Sequence, residues 1–277
     1  MDSTSPGCRG YDSFMPAPDP APTTLHERIP AEASRLVETA SARSVTLRVT
    51  GSVAVRMHVG EHAAMLDALG RRQFRDIDFW SYAKQQKDLE RLFEADGYRA
   101  DPQMKHAQEW GVKRLIYDHP QTRIHVDVFM DELVMAHAID FKGRLELDSP
   151  TVSLADLVLS KLQIHEITEN DLIDITVLLA EHDVGPGDRE RVDLDRIAGL
   201  MRTDWGFYFT AMANIEKSDT ALERYRALPS ELVSTVRERL RAMRDRIEAE
   251  PKSRKWKLRA RVGTRAQWYE TVETVDR

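Results

Sequence analysis

Val45, Leu47 and Val49 alternate with Thr46, Arg48 and Thr50. This period of two predicts a strand with one buried face, ending at Gly51 and Ser52. Residues 31–42 suit a helix ahead of it. Residues 1–30 are rich in Pro, Ser, Thr and Asp without an apolar period, which predicts a disordered leader. A helical pattern over 53–68 closes at Gly70 and the Arg71–Arg72 pair, and a second strand is expected at 76–80. A helix over 84–95 ends at Gly97, and a strand-like stretch covers 112–117. His119 and Pro120 mark a turn into a strong strand at 123–130.

Beyond residue 150 the period changes. Leu154, Leu157, Val158 and Leu162 fall at helical spacing, and Asn170 reads as the N-cap of a helix carrying Leu172, Ile173, Ile175 and Leu179. Two more helices are expected over 193–201 and 230–249. The order of elements predicts an α+β fold. A small mixed β-sheet domain with flanking helices would occupy 31–150, a helical domain 151–250 and a basic tail 251–277. Trp205, Phe207, Tyr208 and Phe209 lie together, as helical-domain core or as a surface that stacks a base.

Composition adds limits. With 277 residues and 42% hydrophobic content the chain can fill one large core or two modest ones, domains commonly running to roughly 100–200 residues, and two domains are expected. The net charge of −6 is mild and points to no partner by itself. The single cysteine, Cys8, excludes a disulfide framework and a cysteine zinc site, and fits a reducing compartment. No run reaches the roughly 18 apolar residues of a membrane span, and the N-terminus does not read as an export signal. A soluble, cytoplasmic protein is expected.

The candidate chemistry lies in three carboxylates. Asp76 and Asp78 stand at i and i+2 of a strand, so both project to one face while Ile77 and Phe79 project to the other. In the segment 125–129, Asp127 lies opposite Val126 and Val128 and shares its face with His125. If these strands are neighbours, three like charges converge, and a hard cation such as Mg²⁺ would neutralise them. Two such ions about 4 Å apart would serve an in-line displacement at phosphorus. The plainer alternative for the Asp pair is a solvated edge strand. Gly51 would let backbone approach a phosphate, and Ser52 at a helix start would offer a hydroxyl and an unpaired N–H, or would simply cap the helix.

The segments VTGSVAV, FRDIDFW and IHVDVFM, within about residues 44–130, resemble the motif of the nucleotidyltransferase superfamily, whose fold is that of DNA polymerase β. The resemblance implies that Asp76 and Asp78 hold metal, that Asp127 completes the set, and that Gly51 and Ser52 cradle a nucleoside triphosphate. The stretch LSKLQIHEITENDLIDITVLL resembles the lysine helix and the Asp-x-x-Asp helix of abortive-infection (AbiEii-type) nucleotidyltransferase toxins. It implies that Lys161 contacts the triphosphate and that Asp174, or Asp171, assists. The chain departs from the pattern in placing 23 residues between Ser52 and Asp76, and in reading Gly-Ser-Val where the toxins carry Gly-Gly-Thr.

Residues 252–265 hold seven cations (Lys252, Arg254, Lys255, Lys257, Arg259, Arg261, Arg265) and no acid, with Trp256 and Trp268 nearby. Phosphate backbones attract such a patch and bases stack on such rings, which makes RNA a candidate acceptor. The same cations could line the cleft or pair with the acidic body. The expectation is therefore a Mg²⁺-dependent enzyme moving a nucleoside monophosphate onto RNA or onto a small hydroxylated molecule, as antibiotic-type nucleotidyltransferases do. A catalytically silent nucleotide-binding module is a third reading. A toxin-like role would bring an antitoxin partner, which the sequence does not identify.

Overall fold

The computed structural model describes residues 25–71, 76–103 and 113–271. Its sheet has five strands: β1 (Arg48–Thr50), β2 (Asp76–Ser81), β3 (Arg99–Ala100), β4 (Arg114–Asp118) and β5 (His125–Met130), in the spatial order β1-β2-β5-β4-β3. β2 and β5 are parallel neighbours and every other pair is antiparallel. The sheet is thus mixed, as expected, and the strands that carry the three carboxylates, β2 and β5, lie side by side within it.

Alternation divides the two faces. Ile77, Phe79, Val126 and Val128 are fully buried on one of them. α4 (Gln86–Ala95) covers it, with Phe93 stacked on Tyr117 at 4.6 Å and tilted against Phe79 at 6.5 Å. α1 (Leu25–Ala42) packs beside α4 and β1, and begins before residue 31 with Pro30 inside it. The remainder of the expected leader, residues 1–24, lies outside the described residues. The other face carries Asp76, Asp78, His125 and Asp127, and turns aromatic further along, where Trp80 stacks on Phe141 at 4.2 Å.

The helix expected over 53–68 is broken. α2 (Gly51–His58) stops at Val59, whose ψ of 12° is not helical, and after a short 3₁₀ turn α3 (Ala63–Ala68) resumes. A hairpin of β6 (Glu132–Val134) and β7 (Ala138–Asp140) follows β5, and Val49 of the edge strand β1 then pairs with Thr151. The helical half contains α5 (Leu154–Leu162), α6 (Glu169–Glu181), α7 (Leu194–Met201), α8 (Trp205–Ala221) and α9 (Ser230–Ala249). A two-residue parallel pair, β8 (Val184–Gly185) with β9 (Val192–Asp193), joins α6 to α7. One apolar cluster runs from Ile29 through the sheet to Ile247, so both halves share a core.

One sequence expectation needs correction here. Thr168, not Asn170, caps α6: its hydroxyl accepts from the Asp171 amide while Asp171 accepts from the Thr168 amide. A reciprocal capping box needs its acid three residues into the helix, and Asp171 holds that position only for a cap at Thr168. The basic tail carries a helix of its own. It forms α10 (Arg254–Val262), capped by Ser253, and the following segment docks on α8, where the Trp268 indole N–H donates to Thr210 Oγ1 at 3.2 Å.

Candidate active site

The turn from β1 into α2 brings backbone against a carboxylate. Gly51 adopts φ +65°, and a Cβ there would sit 2.5 Å from Asp78 Oδ2. Only glycine combines that left-handed backbone with so close an approach. Thr50, opposite Asp78 in the sheet, is the N-cap of α2 and lends it no side-chain hydrogen bond. The first amides of an α-helix have no partner within the helix, so this end offers donors and a positive dipole beside Asp78. Ser52 is half-buried, and its hydroxyl has no hydrogen-bond partner among the described residues.

Register settles which carboxylates meet. Asp78 pairs with Asp127 and Asp76 with His125 across the parallel β2–β5 ladder, so all four side chains share the face away from Ile77 and Phe79. Burial, then the charges of Asp76 and Asp127, push the Asp78 carboxyl up to about 7, against the opposing pull of Lys161 and Arg114. Burial is the larger cause of the shift, and the two neighbouring carboxylates add to it.

Asp127 behaves in the opposite way. Burial alone would raise its pKa, but hydrogen bonds from His125 and Arg114 hold it below the ordinary carboxylate range. The Arg114 fork is bidentate, with Nε 3.1 Å from Oδ1 and Nη2 2.8 Å from Oδ2. His125 places Nε2 3.6 Å from the same Oδ2, and its Nδ1 is 2.8 Å from Asp118 Oδ1. The Asp127 hydrogen bond, ahead of the Asp118 one and against burial, lifts the imidazole to about 9.

Lys161 enters from α5. Its ammonium is buried 2.8 Å from Asp171 and 2.9 Å from Asp174, and those two carboxylates raise its pKa although burial opposes them. Asp174 in turn accepts from Arg71 Nε at 2.6 Å and Nη2 at 3.0 Å. The structure therefore brings Lys161, Asp171 and Asp174 together and adds Arg71, which the sequence offered only as the end of a helix. Lys161 is near enough to lower the Asp78 pKa, which links this network to the carboxylate face.

Asp76 and Asp78 fit a hard divalent cation, because two carboxylates at alternate positions of β2 share the face that meets the α2 N-terminus. Asp127 fits less well, because both its oxygens are engaged by Arg114. Among the described residues no three His, Cys, Asp or Glu side chains are gathered closely enough to hold a metal.

The other aromatic and histidine side chains are mostly packed. Trp205 stacks on Phe209 and lies under the Arg259 guanidinium, and Phe207 stacks on His137. His58 meets Thr151, His62 meets Glu181, and His165 stacks on Tyr269 at 3.6 Å, while His106 lies outside the described residues. On α10, Arg254, Lys255, Lys257 and Arg261 are exposed and make no ion pair among the described residues. Among the described residues no helix is long and apolar enough to cross a membrane.

Fold and site together define an α+β protein whose mixed sheet presents a carboxylate face to a glycine-turned helix N-terminus. Similar solved structures include a lincosamide antibiotic adenylyltransferase, LnuA, bound to lincomycin (18% identity, TM-score 0.38, 53% of this chain and 94% of that one). Others are the antibiotic-resistance factor ANT(2'')-Ia (12%, 0.35, 80% and 96%) and an antigenic nucleotidyltransferase-like protein from Paracoccidioides brasiliensis (13%, 0.38, 82% and 95%). No protein-family model matches the chain, and neither does any curated protein. With likenesses this distant, the functional reading rests on this chain's own side chains.

Proposed function

We propose that this protein is a Mg²⁺-dependent nucleotidyltransferase that moves a nucleoside monophosphate from a triphosphate to an acceptor, releasing pyrophosphate. The observation that carries the reading is the Gly51 turn, which sets an uncapped helix N-terminus directly against Asp78. A helix N-terminus binds phosphate and a carboxylate pair on one strand face binds a divalent ion, and a metal–triphosphate complex presents both partners at once. Asp76 and Asp78 would hold the ion, which supplies charge neutralisation for the phosphates as pyrophosphate departs. Gly51 and Ser52 would take phosphate oxygens through backbone N–H groups and the Ser52 hydroxyl. Lys161 would add a fixed positive charge, positioned by Asp171 and Asp174.

In the reaction an acceptor oxygen forms a bond to the α-phosphorus, the α–β phosphoanhydride bond breaks, and the acceptor proton goes to a base. Asp127 is the carboxylate held ionised on that face, with both oxygens accepting from Arg114. Its depressed pKa makes it a weak base, so charge stabilisation must supply most of the lowering of the barrier.

RNA is the acceptor we favour, because α10 offers exposed cations to a phosphate backbone. The test is incubation with Mg²⁺, each α-labelled nucleoside triphosphate and total RNA, with the Asp76→Asn/Asp78→Asn variant as control. Label in RNA only with the unmodified protein supports the assignment. Label only on a small hydroxylated acceptor replaces RNA with that class. Nucleotide binding without any transfer would make the protein a silent module.

A further inference from the structure

We infer that the site holds a single divalent ion, on Asp76 and Asp78, and that the Arg114 guanidinium stands in for a second. The inference deepens the nucleotidyltransferase reading and rests on it.

A two-ion site needs a carboxylate with oxygens free to reach the second ion, about 4 Å from the first. Asp127 is the strand partner of Asp78 and the obvious donor, yet it is only 5% exposed and both oxygens face the Arg114 fork. Oδ2 is further approached by His125, which Asp118 holds from its other nitrogen. A metal reaching Asp127 would have to break a bidentate, largely desolvated ion pair, the stronger kind of charge-assisted hydrogen bond. Arg114 is also fixed in place: it rises from β4, two residues before the partner of Asp127, and its guanidinium lies 4.9 Å from the Phe129 ring.

Charge balance agrees. Lys161 and Arg71 already offset Asp171 and Asp174, and His125 is matched by Asp118. That leaves the three carboxylates of the sheet face, which one divalent ion and one guanidinium offset in full. A guanidinium also stays charged at every working pH, so it can carry the role of a permanent cation.

The experiment is Mn²⁺ binding to the full-length chain in the presence of an α,β-methylene triphosphate analogue, followed by EPR and equilibrium dialysis, with Mn²⁺ held by the analogue alone subtracted. We expect one Mn²⁺ per chain with an uncoupled six-line spectrum. Arg114→Ala is expected to raise the count to two with a spin-coupled signal, and adding Asp127→Asn should return it to one. Arg114→Lys, which keeps the charge and tests the fork against loss of folding, should stay at one. Near-UV circular dichroism confirms that each variant is folded. Two coupled ions in the unmodified protein, or one ion in a folded Arg114→Ala chain, would overturn the inference and leave nucleotidyl transfer standing. No Mn²⁺ bound under any condition would overturn both.

Discussion

Replacing Gly51 with alanine tests the site at its tightest point. The new methyl would lie 2.5 Å from Asp78 Oδ2, whereas an ordinary carbon–oxygen contact needs about 3.3 Å or more. The carboxylate must therefore retreat by nearly 1 Å, and a misplacement of about 1 Å at a reacting centre can cost on the order of 100-fold in rate. The left-handed backbone adds roughly 1–2 kcal/mol for a residue with a Cβ. At about 2–4 °C per kcal/mol for a chain approaching this size, the melting temperature should fall by several degrees. Gly143→Ala separates the two effects, since Gly143 has φ +69° with nothing within 4 Å of the added methyl. It should lose similar stability while keeping transfer and Mn²⁺ affinity. The assay is label transfer at saturating Mg²⁺, beside Mn²⁺ titration and thermal melting of both variants. A folded Gly51→Ala protein with unreduced transfer and unchanged Mn²⁺ affinity would refute the assignment of this turn.

Lys161→Met should destabilise the chain by about 1–3 kcal/mol, because it takes a buried ammonium away from Asp174, which keeps Arg71, and from Asp171, which keeps only its contacts with Thr168; urea unfolding reads this, and a loss well below about 1 kcal/mol would show the network to be solvated. His58 is held neutral by burial and then by His182, its pKa falling to about 4. The unfolded chain binds that proton first, so stability from this residue is lost as pH drops from about 6.5 toward 4. His58→Asn should lose less on acidification than the unmodified protein in melts at pH 7.5 and 5, and equal losses would count against a buried neutral imidazole. Reversing charge at Lys255, Lys257 and Arg261 on α10 should abolish transfer to RNA and flatten its salt dependence without changing Mn²⁺ binding; unchanged RNA labelling would exclude α10 as the acceptor surface.

The sequence by itself determined which side of each strand faces solvent or substrate. The period of two around Asp76, Asp78 and Asp127 is a local property, and the parallel register of β2 and β5 kept those carboxylates on one face. The Gly51–Ser52 turn was legible for the same reason, since a strand, a glycine and a helix start are adjacent in the chain. Tertiary structure decided the pairing of charges. Asp174 meets Arg71 from 103 residues away, and no helical pattern announces such a partner. Arg114 and Asp127 are only 13 residues apart, but their meeting depends on β4 folding back along β5 and placing Ile116 beside Asp127. The basic tail became a helix anchored through Trp268 to Thr210, a contact made by packing. Periodicity reports the environment of one segment, whereas an ion pair is decided by where two segments are brought together and how little water is left between them.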